Sequence, residues 1–113
     1  MSDCIFCKII KGEIPSTNVY KDEQVTAFRD INPVAPTHIL IVPNKHIDSV
    51  DVMIVDDGPL IGHLFTVAKE LAAKEGIAEG GYRLVVNTGA ESGQTVFHVH
   101  LHLLGGRQMR AMG

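Results

Sequence analysis

Three histidines alternate with apolar residues in the run His98-Val99-His100-Leu101-His102-Leu103-Leu104. Successive side chains of a β-strand point to opposite faces, so a strand here would place the three imidazoles on one face and the apolar side chains on the other. Imidazoles titrate near neutral pH and act as nucleophiles, as general acids or bases, and as metal ligands. The run therefore predicts a site that performs chemistry or binds a ligand.

The pattern leaves three interpretations open. A half-buried strand could turn its histidines to solvent, although the strict alternation of three argues against this. A metal site is the second interpretation, because two histidines at positions i and i+2 can ligate one zinc ion. A strand rises about 3.3 Å per residue, which puts the outer pair roughly 13 Å apart, so at most two can share an ion. The third is catalysis, with the central imidazole as the nucleophile.

A polar loop of residues 89–95, which contains two glycines, precedes the histidine run. Small residues allow backbone N–H groups to approach an anion closely. Glycine-containing loops are also ordinary turns, so this loop alone specifies little. Next to a row of imidazoles, however, it favours phosphate chemistry and thus the catalytic interpretation.

Composition excludes several classes of protein. The net charge of −3 gives no basic surface for nucleic acid or for a membrane. No apolar run approaches the roughly 20 residues of a spanning helix. The first residues show no basic region followed by an apolar stretch, so we expect no secretory signal and a cytoplasmic location. In that compartment Cys4 and Cys7 are expected to be thiols or metal ligands rather than a disulfide.

Hydrophobic periodicity and turn residues predict two helices and five strands. The predicted helices cover residues 4–11 and 59–74, with Asp57 as the N-cap of the second and Gly76 ending it. The predicted strands cover residues 19–20, 25–29, 37–42, 82–88 and 96–104. Because these elements show no regular βαβ alternation, we expect an α+β fold with a mainly antiparallel sheet of about five strands. The length of 113 residues is that of one domain, over residues 1–113.

The histidine run resembles the signature of the HIT (histidine triad) family, His-φ-His-φ-His-φ-φ, in which φ is apolar. The resemblance covers nearly the whole chain and is greatest to the Hint branch, whose members are purine nucleoside phosphoramidases. It implies a HIT-like fold. The further segments that carry it are Phe6-Cys7-Lys8-Ile9-Ile10, Glu13-Ile14-Pro15, Ala27-Phe28-Arg29-Asp30-Ile31, Ala35-Pro36-Thr37-His38, Gly81-Tyr82-Arg83 and Gly105-Gly106-Arg107-Gln108-Met109.

The resemblance implies that His100 is the nucleophile. Its ring would attack the α-phosphorus of a nucleotide and form a nucleotidyl-histidine that water then hydrolyses. The backbone carbonyl of His98 would fix the tautomer of that ring, and His102 would contact the transferred phosphate. His38 would support these residues, although it can equally be interpreted as a hydrogen-bonded core histidine.

The same resemblance assigns the substrate-binding residues. Asp30 corresponds to the ribose-binding aspartate of the family, although an aspartate just before Asn32-Pro33 is also an ordinary turn residue. Apolar side chains would form the walls of the purine pocket, and residues in and near the polar loop would hold the phosphate and the leaving group. The implied pocket residues are Phe6, Ile9, Ile14, Phe28 and Ile31, and the implied phosphate residues are Asn87, Gly93, Gln94 and Thr95.

Cys4 and Cys7 form a C-x-x-C pair that resembles a zinc-containing subset of the family. From the spacing alone a redox pair is the alternative. The resemblance implies that His46 and His98 complete a Cys₂His₂ set that binds one structural zinc ion. No organic cofactor is expected.

The resemblance implies a homodimer that hydrolyses purine nucleoside phosphoramidates or aminoacyl-adenylates to AMP. Three alternatives stay open: a dinucleoside polyphosphate hydrolase, a nucleotide-binding interaction module with little turnover, and a zinc-binding scaffold. Residues 107–113 lack the aromatic-Pro-Pro ending of the animal branch, so the sequence leaves the preferred leaving group open.

Overall fold

The computed structural model describes residues 3–112, so Met1, Ser2 and Gly113 of the predicted domain lie outside the described residues. Two α-helices and five β-strands occur within this range, together with short 3-10 turns. The helices are α1 (Ile5–Ile10) and α2 (Gly58–Lys74). The strands are β1 (Asn18–Lys21), β2 (Val25–Arg29), β3 (Thr37–Pro43), β4 (Tyr82–Val85) and β5 (Leu101–Gly105).

The strands form one sheet in the order β1-β2-β3-β5-β4, and every neighbouring pair is antiparallel. β3 is central and all seven of its residues are buried. The predicted α+β fold with a five-stranded antiparallel sheet, one long helix and one short helix is confirmed. No helix among residues 3–112 is long and apolar enough to cross a membrane.

The two faces of the sheet carry different side chains because alternate residues of each strand point in opposite directions. Leu101 and Leu103 of β5 join a core formed with the apolar stripe of α2. On the opposite face, Leu40 of β3 packs with Phe6 and Ile9 of α1. His102 lies directly across from Leu40 in the β3–β5 pairing. The long helix therefore supports one face, and the short helix covers the face that carries the histidines.

The ends of α2 agree with the prediction in position but not in every contact. Gly76 follows the helix with a φ of +75°, a conformation that favours glycine, so the predicted stop is confirmed. Asp57 occupies the N-cap position, but its side chain makes no capping hydrogen bond to the helix. Its carboxylate instead accepts from Lys45 Nζ at 2.6 Å and from the backbone N–H of Ile54 at 3.1 Å.

The predicted histidine strand over residues 96–104 is too long, because β5 begins at Leu101. Two hydrogen bonds explain the difference. The carbonyl of Pro43, at the end of β3, accepts from the imidazole of His98 at 2.7 Å. The N–H of Val99 donates to Ile47 at 2.7 Å and is not available to β3. The predicted strand over 82–88 is also too long, because β4 ends at Val85. Val85 pairs with His102, which is only one residue from the start of β5, so the residues after Val85 have almost no strand to pair with.

Candidate active site

His100 lies one residue before β5 and is 7% exposed. Its Nδ1 lies 2.8 Å from the carbonyl oxygen of His98. A carbonyl only accepts hydrogen bonds, so the neutral ring carries its proton on Nδ1 and keeps a lone pair on Nε2. The ring of Phe6 meets the imidazole edge to face, with 5.0 Å between centroids. The ring is thus held in the tautomer that a nitrogen nucleophile requires.

A second chain of hydrogen bonds fixes the protons of His38 and His102. The N–H of Val34 donates to His38 Nδ1 at 3.1 Å, so the neutral His38 ring carries its proton on Nε2. That atom lies 3.0 Å from His102 Nδ1 and 3.4 Å from Asp30 Oδ2. Because His38 donates to His102, the proton of His102 must sit on its Nε2.

His102 Nε2 is a buried nitrogen with no hydrogen-bond partner among residues 3–112. Its ring lies beside that of His100, with centroids 4.9 Å apart. A buried donor without a partner costs free energy unless a ligand satisfies it. The pair therefore presents one imidazole with a lone pair on Nε2 and one with a proton on Nε2.

Burial keeps these rings neutral. It lowers the pKa of His100, against the opposing effects of the His98 carbonyl and the Asp30 carboxylate. Burial also lowers the pKa of His102 to about 4, and the neighbouring His100 and His38 act in the same direction. The pKa of His38 falls because of burial, with Asp30 opposing. Neutral rings at pH 7 are consistent with the tautomers deduced from the hydrogen bonds.

A cavity of about 460 Å³ opens beside these histidines, within the usual size of a small-molecule site. Its walls are mainly apolar. Asp30 lines it, and the Oδ1 atom of Asp30 also accepts from the N–H of Asn32 at 2.8 Å. Asp30 is therefore both a turn residue and a carboxylate that faces the cavity. The predicted pocket residues Phe6, Ile9, Ile14, Phe28 and Ile31 all line it, together with His38, His100 and His102.

The polar loop meets this cavity through Thr95. Gly89 and Gly93 adopt φ values of +83° and +94°, which favour glycine. Gln94 is buried and its side-chain amide bonds only to backbone groups. Asn87 and Gly93 are not among the residues that line the cavity. Of the four residues predicted to hold phosphate, Thr95 is thus the one that lines the cavity together with the histidines.

The four predicted metal ligands lie together. Cys4 Sγ and Cys7 Sγ are 3.3 and 3.5 Å from His98 Nδ1, and Cys7 Sγ is 3.3 Å from His46 Nδ1. All four ligand atoms lie within 4.8 Å of one another. Tetrahedral zinc with ordinary bond lengths separates a sulfur and a nitrogen ligand by roughly 3.5 Å. The donor set and its spacing fit a zinc ion.

The outer nitrogens of both imidazoles support this arrangement. His98 donates through Nε2 to the carbonyl of Pro43 at 2.7 Å, and His46 Nε2 lies 2.6 Å from Asp48 Oδ1. Each ring therefore carries its proton on Nε2 and turns the lone pair of Nδ1 toward the cysteines. Metal-bound histidines commonly show this pattern of outer hydrogen bonds. The sequence did not predict that Pro43 and Asp48 would be the partners of these outer nitrogens. The signal that could have marked Asp48 is its position two residues after His46.

A second group of possible ligands, Asp30, His38 and His102, is also close enough to hold a cation. The hydrogen bond from Val34 argues against that use. It occupies Nδ1 of His38 and leaves the proton on Nε2, the atom that would have to face the ion. We interpret this group as a hydrogen-bonded relay.

Known proteins resemble this chain over nearly its whole length. The HIT domain family profile matches residues 11–109. The purine nucleoside phosphoramidase of Escherichia coli K12 is 54% identical over 110 residues, which cover 97% of this chain and 92% of the relative. A 14 kDa zinc-binding protein of Zea mays is also 54% identical over 110 residues, with coverage of 96% and 85%.

Solved structures agree as well. A HIT family hydrolase from Legionella pneumophila Philadelphia 1 superposes with a TM-score of 0.94 at 54% identity, covering 96% of each chain. A histidine triad protein from Clostridium difficile gives a TM-score of 0.96 at 44% identity, covering 100% of this chain and 98% of the other. With the histidine run, the sheet and the profile in agreement, the chain belongs to the HIT domain family.

Proposed function

We propose that this protein hydrolyses purine nucleoside phosphoramidates, or aminoacyl-adenylates, to AMP through a covalent nucleotidyl-histidine. The observation that carries the proposal is the 2.8 Å hydrogen bond from His100 Nδ1 to the His98 carbonyl. It leaves a neutral, buried Nε2 lone pair at the edge of an apolar cavity that also holds a carboxylate. The E. coli relative named purine nucleoside phosphoramidase supports the substrate class.

In the first step, the lone pair of His100 Nε2 attacks the α-phosphorus. A bond forms between that nitrogen and phosphorus, and the bond from phosphorus to the leaving group breaks with its electron pair. A leaving amine takes up a proton, whereas the carboxylate of an aminoacyl-adenylate leaves without one. His102 Nε2–H is positioned to donate to a phosphate oxygen or to the leaving nitrogen, because it has no partner within the described chain. His38 holds that proton on Nε2 by donating to Nδ1 of the same ring.

In the second step, water attacks phosphorus and the phosphorus–nitrogen bond to His100 breaks. The proton that water loses returns to His102 Nε2 where that atom protonated the leaving group, and otherwise passes to solvent. AMP leaves and the imidazole regains its lone pair on Nε2. The His98 carbonyl stabilises the ring while it bears positive charge, since it accepts from Nδ1 throughout. Splitting one substitution into two steps is the usual benefit of a covalent intermediate.

Substrate binding is assigned to the cavity walls. The apolar side chains, with the edge-to-face pair of Phe6 and Phe28 at 5.4 Å among them, offer a surface for a purine ring. Asp30 would accept hydrogen bonds from the ribose hydroxyls. Ile31 lines the cavity while 88% exposed, so a bound base would bury part of it. Thr95 would contact the phosphate or the leaving group.

We also propose one structural zinc ion held by Cys4, Cys7, His46 and His98. The donor set and spacing support it, and so does the relative named a zinc-binding protein. Four protein ligands leave no open position for a substrate or a reactive water, so the ion would stabilise structure rather than take part in the reaction. Thiolate ligands are consistent with a reducing compartment such as the cytoplasm.

A homodimer is the proposed assembly. β4 lies at one edge of the sheet with half-buried residues, and Phe65 on α2 is 43% exposed. A partner that continued the sheet at β4 and covered part of α2 would bury both. Light scattering after gel filtration should give twice the mass of the chain; a monomer at micromolar concentration would contradict the assembly.

The function is tested by comparing turnover of adenosine 5′-phosphoramidate with that of a diadenosine polyphosphate. We expect the phosphoramidate to be hydrolysed faster. Faster hydrolysis of the diadenosine compound would identify the polyphosphate hydrolase instead. Protein denatured at alkaline pH during turnover should contain an adenylyl group bound through nitrogen, a bond that acid would hydrolyse. Nucleotide binding with neither turnover nor adduct would indicate an interaction module, and a metal-binding protein with no nucleotide affinity would indicate a scaffold.

A further inference from the structure

The side-chain amide of Gln94 is hydrogen-bonded within the protein rather than left available for a ligand. The residue is 4% exposed, and both polar atoms of its amide are hydrogen-bonded within the protein. Oε1 accepts from the N–H of Gly89 at 2.8 Å. Nε2 donates to the carbonyl of Asp48 at 2.8 Å and to that of Val96 at 3.1 Å. The amide therefore has one acceptor and two donors occupied by backbone groups and offers little to a substrate.

These contacts close the polar loop on itself. Gly89 begins the loop, and its carbonyl accepts from the backbone N–H of Gln94 at 3.2 Å while its N–H donates to the Gln94 side chain. Val96 follows the loop on the other side. Thr95, which lines the cavity, lies between the residue that makes these bonds and Val96. The backbone of Thr95 is thus held between two hydrogen-bonded neighbours, Gln94 and Val96.

The third contact joins the loop to a distant segment. Asp48 offers its carbonyl to Gln94 and its carboxylate to the imidazole of His46 at 2.6 Å. His46 belongs to the Cys–His cluster. The loop is therefore fixed against a segment that has a second anchor of its own. A buried side chain with three bonds to three backbone positions is a strong constraint, because each bond lost would leave a buried polar group unsatisfied.

We infer that Gln94 is a positioning residue that holds the polar loop, and Thr95 at its end, in the conformation that binds the phosphate of the substrate. The inference deepens the proposed function and rests on it for the identity of the ligand. It predicts that changing Gln94 weakens recognition of phosphate while recognition of the nucleoside is retained, because the purine and ribose contacts lie elsewhere in the cavity.

The test compares the dissociation constants of AMP and adenosine by calorimetry, in metal-loaded protein. Gln94→Met has similar length, adds no charge that could repel phosphate, and removes all three bonds. We expect AMP to bind roughly tenfold more weakly, the effect of losing one charge-assisted hydrogen bond, and adenosine to stay within about twofold. Asn44→Leu is the matched control. Asn44 also braces backbone, donating to the Asp22 carbonyl at 3.1 Å, but it lies outside the residues that line the cavity.

An unchanged ratio of AMP to adenosine affinity in Gln94→Met would overturn the inference, as would an equal loss in Asn44→Leu. If Gln94→Met does not fold, hydrogen exchange of the wild-type protein decides. The Gly89 amide should exchange far more slowly than in an unstructured peptide, and exchange at the peptide rate would overturn the inference. Binding does not require turnover, so a wild-type protein that fails to hydrolyse phosphoramidates would contradict the proposed function without affecting this comparison.

Discussion

His38 provides the sharpest test of the hydrogen-bond network, because one hydrogen bond joins it to His102. His38 Nε2 lies 3.0 Å from His102 Nδ1 and holds the proton that keeps the opposite nitrogen of His102 a donor. Replacing His38 with methionine removes that proton and keeps an unbranched side chain of comparable size. Replacing it with glutamine places an amide nitrogen near the position of Nε2 and can restore the donated bond.

The expected fall in kcat follows from the change in the tautomer of His102. Without a donor at Nδ1, the proton of His102 can occupy either nitrogen, and only one tautomer donates into the cavity. Complete loss of a preorganised donor to transition-state charge costs about 10²- to 10³-fold in kcat. In His38→Met the donating tautomer of His102 would still be partly populated, so kcat should fall by less than this. We therefore expect kcat of His38→Met to fall about 10- to 100-fold, and that of His38→Gln to stay within about fivefold of the wild type.

The assay is steady-state hydrolysis of adenosine 5′-phosphoramidate, with AMP affinity measured in parallel. The ribose contacts are assigned to Asp30, whose carboxylate is also held by the N–H of Asn32, so AMP affinity and KM should change little in either variant. Val34 loses the acceptor for its N–H in His38→Met, which should lower the stability of the fold by about 1 kcal/mol. Thermal unfolding therefore has to be measured, so that loss of folded protein is not mistaken for loss of rate.

Two results would refute the reasoning. If His38→Met retains the wild-type kcat, the relay does not set the tautomer of His102. If the glutamine and methionine variants lose activity equally while both are folded, His38 acts through packing and the donated proton is irrelevant.

Four further predictions follow from the same structure. His100→Ala should abolish turnover and adduct formation while AMP binding persists, and a wild-type rate would exclude His100 as the nucleophile. Asp30→Ala should weaken AMP binding about 10- to 100-fold by calorimetry, through loss of hydrogen bonds to the ribose; unchanged affinity would exclude that role. Metal analysis should find one zinc ion per chain, and Cys4→Ser should lower both zinc content and Tm; metal-free wild-type protein with an unaffected Cys4→Ser variant would exclude the site. Hydrogen bonds from His63, Tyr20 and two backbone amides hold the pKa of Asp22 well below its usual range although burial acts to raise it. Ionised Asp22 therefore stabilises the fold at neutral pH and ceases to do so as acid protonates it. Asp22→Asn should be about 1–3 kcal/mol less stable in urea unfolding at pH 7, a difference that narrows as the pH falls below about 4; a difference independent of pH would exclude that contribution.

The alternation of the histidine run predicted the faces of the segment better than its secondary structure. Val99, Leu101 and Leu103 are buried in the α2 core as expected. The strand itself begins only at Leu101, because a side chain takes the backbone acceptor that a longer ladder would use. Periodicity reports which side chains prefer the core, whereas the extent of a strand depends on the backbone partner that the tertiary structure supplies.

Contacts between distant residues account for most of what the sequence did not predict. The carbonyl that fixes His98 belongs to Pro43, 55 positions away, and the bond from Gln94 to Asp48 spans 46. Every residue has a backbone carbonyl, so no sequence motif could have indicated that these two would accept the bonds. Gln94 was expected to hold phosphate because the resemblance to the HIT family implied it. Its contacts in the structure depend on where Asp48 lies, which only the folded chain determines.

His98 shows how the proposed zinc site and the proposed nucleophile could share one residue without interfering. The side chain of His98 turns Nδ1 to the cysteines and Nε2 to Pro43, while its backbone carbonyl accepts from His100. An ion on the imidazole of His98 would withdraw electron density from that ring. The backbone carbonyl of His98 is separated from the ring by saturated carbon atoms and would be little affected. The ion would therefore affect the nucleophile through the position of the backbone and hardly through its basicity. Loss of the proposed ion should disturb His100 only to the extent that residue 98 moves, so a closed zinc site two residues from the proposed nucleophile would not take part in the reaction.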